Sequence, residues 1–327
     1  MMKKIFKYTA ILVLFIFSYQ SFLIASSTDA TSAYQHLKMD VGARTLAMGG
    51  AFVAVANDVN SIRYNPAGLK MVKNFEISAT HMMWFANLNV EYLAFVKNLG
   101  TRRFRYLDVF GGSIFYMGSG DEIEGRDEQG NITNNLGYNQ IAVTISGAKS
   151  IDLYDNVLVG ANLKYASERF ASNNYATVLA DGGILYKWKQ NINLGFSVRN
   201  LGISEDKLPL EFRAGSSYQK NKLGISMDIY RFIDTKLRVV FGGEYFINNI
   251  LTLRAGYNSS LYDSGKLLDF ESWSGISEYS ISGLSLGFGF LTKPLDFFRG
   301  YEFKVDYAMV NFGRLGFTHI FTISFAL

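Results

Sequence analysis

The chain contains no cysteine at all, only three prolines and only three histidines. The missing cysteine excludes disulfides, thiolate metal sites and thiol nucleophiles together. With histidine confined to His36, His81 and His319, no Ser–His pairing with a polar orienting partner stands out, and no cluster has metal-ligand spacing. The chain is therefore read as a non-enzyme with no metal and no cofactor. Long apolar runs are also scarce. After residue 27 no stretch is apolar over the ~18 residues that suggest a spanning helix, so any membrane crossing must be made by strands. A large excess of either charge is missing too. The formal net charge is +4, and the first 27 residues carry three of the lysines and no acid, leaving +1. That balance gives no support to nucleic-acid binding.

Those first 27 residues have the three parts of a secretory signal peptide. Lys3, Lys4 and Lys7 form the positive start, Ile11 to Ile24 the apolar core, and Ala25-Ser26-Ser27 the small residues for cleavage. No cysteine follows for a lipid anchor. Residues 28–72 are read as a separate compact segment. Its centre is GARTLAMGGAFVAVANDVNSIRYNPAGLK, Gly42 to Lys70, rich in small residues as close packing inside another structure requires. Asn65 can cap a short helical turn that Pro66 opens.

What is abundant is a period of two. Val157, Val159, Ala161, Leu163 and Tyr165 alternate with Gly160, Asn162 and Lys164. Leu237 to Tyr245, Leu251 to Tyr257 and Tyr301 to Met309 repeat the pattern. About fourteen such segments, many near the ~10 residues of a tilted membrane strand, centre near 80, 93, 110, 144, 163, 181, 196, 214, 228, 242, 255, 287, 306 and 321. The two longest gaps, Gly118 to Gly137 and Ser259 to Ser280, follow the third and eleventh segments, so both fall on one face. Long outer loops and short inner turns are the habit of outer-membrane barrels. Phe317, His319, Phe321, Ile323, Phe325 and Leu327 mark a final strand suited to closing the barrel. The expected fold is all-β: a transmembrane antiparallel barrel over residues 73–327, of about fourteen strands, with residues 28–72 as a hatch in its lumen.

The polar register carries both signs of charge. Lys164, Arg199, Arg213, Arg238, Arg254 and Lys304 share it with Glu211, Asp228, Glu244, Glu302 and Asp306. These side chains either line a path for a ligand's anionic head or pair with each other and with the hatch, and pairing is the commoner outcome in a narrow barrel. The acidic loop from Gly120 to Glu128 lacks the ordered spacing of a calcium loop.

Gly42 to Lys70 resembles the opening motif of the PorV/PorQ family (UPF0164-like), within the FadL-like group of outer-membrane proteins. The motif positions are Gly42, Arg44, Met48, Gly49, Gly50, Asn65, Pro66 and Gly68. His81-Met82-Met83-Trp84 with Val90 to Phe95, Ala180 to Tyr186, and Leu194 to Gly202 resemble later strands of the same proteins. The resemblance implies a fourteen-stranded barrel with an N-terminal hatch. It also implies one of two roles: a channel for a hydrophobic or amphipathic small molecule, or a type IX secretion component that binds cargo or its carrier. A purely structural outer-membrane protein is the third alternative. Implied partners are outer-membrane lipid, a hydrophobic ligand and secretion-system proteins.

Overall fold

The computed structural model describes residues 32–85, 87–100, 107–119, 123–126, 129, 132–136, 138–151, 154–170, 173–204, 206–259, 283–292 and 301–327. The expected signal peptide, most of the acidic loop and Pro294 lie outside the described residues. Period-two patterning becomes strand throughout: β1 (Phe75–Met83), β2 (Leu88–Asn98), β3 (Val109–Ser119), β4 (Ile123–Arg126), β5 (Ile132–Leu136), β6 (Tyr138–Ile151), β7 (Tyr154–Phe170) and β8 (Asn173–Lys189). The second half holds β9 (Ile192–Gly202), β10 (Glu211–Lys220), β11 (Leu223–Phe232), β12 (Arg238–Phe246), β13 (Leu251–Asn258), β14 (Leu284–Leu291), β15 (Glu302–Asn311) and β16 (Phe317–Ala326).

Fourteen of these strands form one closed antiparallel barrel in sequence order, while β4 and β5 pair with each other in the long connection after β3. In the sequence that connection looks like loop, because β4 and β5 are too short to show a period. The third barrel strand also runs further than its expected centre near 110, to Ser119. The seam pairs β1 with β16, from Glu76 opposite Ala326 to Met83 opposite His319. Closure leaves no strand edge with unpaired amides in the hydrocarbon layer, which is why a spanning sheet must be a barrel.

Each strand turns one parity outward. On β16, Phe317, Phe321 and Ile323 are exposed, while Thr318, Ile320, Thr322 and Ser324 are buried. The outward face is apolar along nearly every strand and rich in rings, as contact with lipid and its interface demands. Strands β7 and β8 have 17 residues each, more than the ~9–11 that cross a bilayer, so their hairpin projects past the rim.

Residues 32–72 fill the lumen with short turns of helix (Gln35–Lys38, Ala43–Ala47, Ser61–Tyr64, Pro66–Met71) joined by irregular chain. None is long enough to satisfy its own backbone, and most of the segment is buried, so the wall must supply partners. It does so from nearly every side. Thr322 accepts from Ala43 N at 2.9 Å, Ser285 and Asn258 donate to Ala47 O and Gly49 O, and Ser226 and Ser217 donate to Ala51 O and Ala54 O. Asp228 accepts from both Phe52 N and Val53 N at 2.9 Å, and Glu76 accepts from Val59 N at 3.0 Å. Asn162 donates to Ile62 O at 2.8 Å.

The other half of the contact is apolar. Leu37, Val41, Ile62 and Leu69 of the hatch pack on Met82, Val90, Tyr92, Val96 and Phe115 of β1–β3. Here the wall is apolar on both faces, one toward the hatch and one toward lipid.

Candidate functional site

The motif positions explain how the hatch can lie so close to the wall. Gly42, Gly49 and Gly50 have φ of 88°, 66° and 85°, left-handed values that favour glycine. A Cβ on Gly49 would also stand 2.8 Å from the Tyr257 backbone nitrogen, and one on Gly68 would collide with the Ala56 carbonyl. Asn65 does cap the turn at Pro66, accepting from Ala67 N at 3.2 Å, and its amide also donates to Val53 O and to Ile184 O of β8. The wall answers with inward-facing glycines. Gly160, Gly183, Gly195, Gly242, Gly256 and Gly287 each lie where a hatch atom would block a Cβ: Pro66, Asn65, Val53, Met48, Gly49 and Ala47 respectively.

The charged positions of the polar register fall into three groups. The first joins hatch to wall through Arg44. Its guanidinium donates to Glu244 at 2.8 Å, Asp58 at 2.8 Å and Asn57 at 2.7 Å, while Arg254 reaches the same Glu244 at 3.4 Å and Asp306 at 2.7 Å. Lys304 stands 3.7 Å from Asp306, about a quarter exposed. The second group is fully buried. Arg199 pairs with Glu211 and donates to Arg63 O, and Arg213 donates to Glu211 at 2.7 Å and to Gly50 O at 2.8 Å, with Asp40 and Asp228 nearby. Lys164 binds Asp181 at 3.0 Å and Asn200 at 2.8 Å. Glu302 is exposed at the start of β15.

Arg238 stands apart. It makes no ion pair with any described carboxylate and lies over the Tyr230 ring at 6.0 Å, with Arg213 over the same ring at 4.1 Å. Tyr230 and Arg238 border a cavity of about 160 Å³ between the hatch and the wall. Leu46, Met82, Trp84, Val310, Phe312 and Ile320 supply its apolar surface. Lys38, tied to Asp234 at 2.6 Å, and Asp40 stand at its polar side. Thr318 also lines it, with a buried hydroxyl that has no hydrogen-bond partner. Burial holds the Lys38 ammonium below its usual value, against the pull of Asp234.

All the wall residues named here sit at one end of their strands: the ends of β1, β11 and β15 and the starts of β12 and β16. This end bears both long connections and is opposite the end where residue 72 feeds into β1. By the usual habit of barrels it is the external end. Of the sequence candidates, Arg238 and Gly49 border the cavity; the other charges pair with one another, with polar wall residues or with the hatch, except Glu302, which is exposed. Nothing in the sequence marks Lys38, Asp40, Phe312 or Thr318 as cavity residues, and Trp84 stands out there only as part of the hairpin resemblance. For Tyr230 there was a signal, a large ring on the same polar register as Asp228.

A family model described as the uncharacterised protein family UPF0164 matches residues 24–222. The chain belongs to that family. No curated protein matches this UPF0164 chain. Among solved structures it is similar to the Ralstonia pickettii toluene transporter TbuX, at TM-score 0.56 and 15% identity over 88% of this chain and 97% of that one. The Pseudomonas putida toluene transporter TodX gives 0.55 and 14%, over 87% and 96%, and a Pseudomonas aeruginosa FadL homologue 0.53 and 11%, over 87% and 97%. At these identities the likeness is one of fold: this UPF0164 member shares the barrel architecture of those structures.

Proposed function

We propose that this UPF0164 barrel is an outer-membrane channel for a small hydrophobic or amphipathic molecule, delivered to its membrane by residues 1–27 as a signal peptide. The observation that carries the reading is the cavity between hatch and external wall. Its lining is apolar on one side, and on the other lie Arg238, which pairs with no described carboxylate, and the Thr318 hydroxyl, which has no hydrogen-bond partner. Two of the similar structures are toluene transporters, which supports a compact ligand. So does size, because an apolar cavity on the order of 150 Å³ accepts a molecule like benzene. A lumen filled by a hydrogen-bonded hatch is a poor route for free ion flow, which weighs against a general porin. The reading involves no catalytic step.

Trp84 borders the cavity and reports on it. Titration of toluene and of a short-chain carboxylate into the detergent-solubilised protein is expected to change tryptophan fluorescence saturably, and Trp84→Phe should remove the change. Filling the cavity with Ile320→Trp should abolish binding of both ligands. Arg238→Glu should weaken the carboxylate and spare toluene. A response that is unsaturable, or indifferent to Ile320→Trp, overturns the reading. Arg254→Glu is unsuitable for this purpose, since Arg254 is bound to Glu244 and Asp306.

Capture of a secreted protein at the outer rim is a second reading, favoured by the projecting β7–β8 hairpin and the β4–β5 hairpin. Removing residues 121–135 should abolish partner capture on that reading. Normal capture by the shortened protein would exclude that hairpin as the docking element.

A further inference from the structure

The parity that turns Arg213 and Glu244 inward turns Ser216, Gly243 and Ala255 outward. The ladder brings these small residues together on the membrane face: Ser216 lies opposite Met227, Ile225 opposite Gly243, and Gly243 opposite Ala255. Larger side chains stand around them, Leu194, Ile225, Phe241, Tyr257 and Leu284, with Trp188 and Tyr218 toward one end. Small residues framed by large ones leave a groove of about 880 Å³ on the outer surface of β8–β14. Gly243 differs from the inward glycines. A Cβ there would meet nothing nearer than 3.8 Å, so no packing inside the protein requires the dent.

The Trp188 end of the groove is the periplasmic end, where short turns link β8 to β9, β10 to β11 and β12 to β13. Lys189 and Lys220 end β8 and β10 at those turns and Lys222 lies in the β10–β11 turn, and neither Asp nor Glu occurs in residues 187–191, 219–223 or 247–250. Lys189 lies over the Trp188 ring at 4.9 Å, and Lys222 donates to Ile247 O at 2.7 Å. An apolar groove in the hydrocarbon layer thus ends beside three lysines, Lys189, Lys220 and Lys222, at headgroup level.

We propose that the groove binds an anionic phospholipid of the periplasmic leaflet, its acyl chain along Gly243 and Ala255 and its phosphate by Lys189, Lys220 and Lys222. A basic cluster beside an apolar surface recognises anionic lipid by charge, with the lysine stems lying along the apolar part. A second copy of the chain fits less well, because a two-fold axis along the membrane normal would bring the two lysine clusters face to face. The inference rests on the membrane-spanning fold and not on the lumen cavity.

Native mass spectrometry of the protein released from nanodiscs of mixed phosphatidylglycerol and phosphatidylethanolamine tests it. The unaltered protein should retain phosphatidylglycerol in preference. Gly243→Trp, or Gly243→Leu should the larger ring prevent folding, should lose the adduct while the barrel still shifts on a gel with boiling. The combined Lys189→Gln, Lys220→Gln and Lys222→Gln protein should retain the two lipids without preference. Arg238→Glu should leave the adduct unchanged. Equal retention of both lipids by the unaltered protein overturns the proposal, as does a phosphatidylglycerol adduct that survives Gly243→Trp and Gly243→Leu. A dimer dissociated by either Gly243 variant would assign the groove to self-association instead.

Discussion

Arg44 is where a single side chain does most to hold the hatch. It bonds to Asp58 and Asn57 of the hatch and to Glu244 of the wall, and all three charged groups are buried. Removing one partner of a buried pair strands the rest, typically at about 3–5 kcal/mol. Arg44→Met is therefore expected to release the hatch at lower urea than the unaltered protein, with limited proteolysis of residues 32–72 as the readout. Gly256 tests the close approach from the wall side. A Cβ there would collide with the backbone of Met48 and Gly49, so Gly256→Ala should destabilise the hatch by about 1–3 kcal/mol. Gly182, with nothing within 4 Å of its Cβ position, should accept alanine with little effect.

His36 gives the hatch a pH dependence. It is buried against Phe115, with neither ring nitrogen hydrogen-bonded. Desolvation first, and then Arg63 and Lys164, lower its pKa from 6.5 to about 3. The released hatch binds the proton more readily, so the packed state keeps its full stability above about pH 6.5 and loses it between there and about pH 3. The slope approaches about 1.4 kcal/mol per pH unit. Proteolysis of the hatch should accelerate across that window, and His36→Phe should flatten the profile. An unaltered slope in His36→Phe would assign the effect to another group.

At the scale of elements, the strands were legible because water and lipid impose opposite demands on alternate residues. β12 and β15 show it cleanly, with Glu244 and Asp306 inward and Tyr245 and Tyr307 outward. β2 shows it least. Val90, Tyr92, Ala94 and Val96 face the hatch core while Leu93 and Phe95 face outward, so apolar residues occur at both parities. The polar register placed the inward charges together, but not their partners. Nothing in the spacing ties Arg44 to Glu244, 200 residues away, or distinguishes Arg238 from Arg254; that follows only from how the hatch folds inside. The cavity was illegible for the same reason, since Lys38, Trp84, Tyr230 and Phe312 come from four distant segments. Replacing residues 121–135 by a short linker touches none of these contacts. The shortened barrel should keep the unfolding free energy of the full protein to within about 0.5 kcal/mol.

For the whole molecule the decisive property is closure. A sheet closed on itself unfolds slowly in detergent, so the unboiled protein should migrate faster on a denaturing gel than the boiled one. A protein found soluble in the periplasm, or with no shift on boiling, would contradict the architecture. The seam also sets an order of events. Thr322 of β16 meets Thr80 of β1 at 2.7 Å and at the same time accepts from Ala43 of the hatch. Once β1 and β16 have paired, the ring offers no lateral gap through which residues 32–72 could be inserted from the membrane side. The hatch must already be enclosed, or be threaded in from the periplasmic mouth. Assembly of this barrel is in that sense the wrapping of a wall around its own contents, and a sequence change that delays the hatch would be felt as a failure to close.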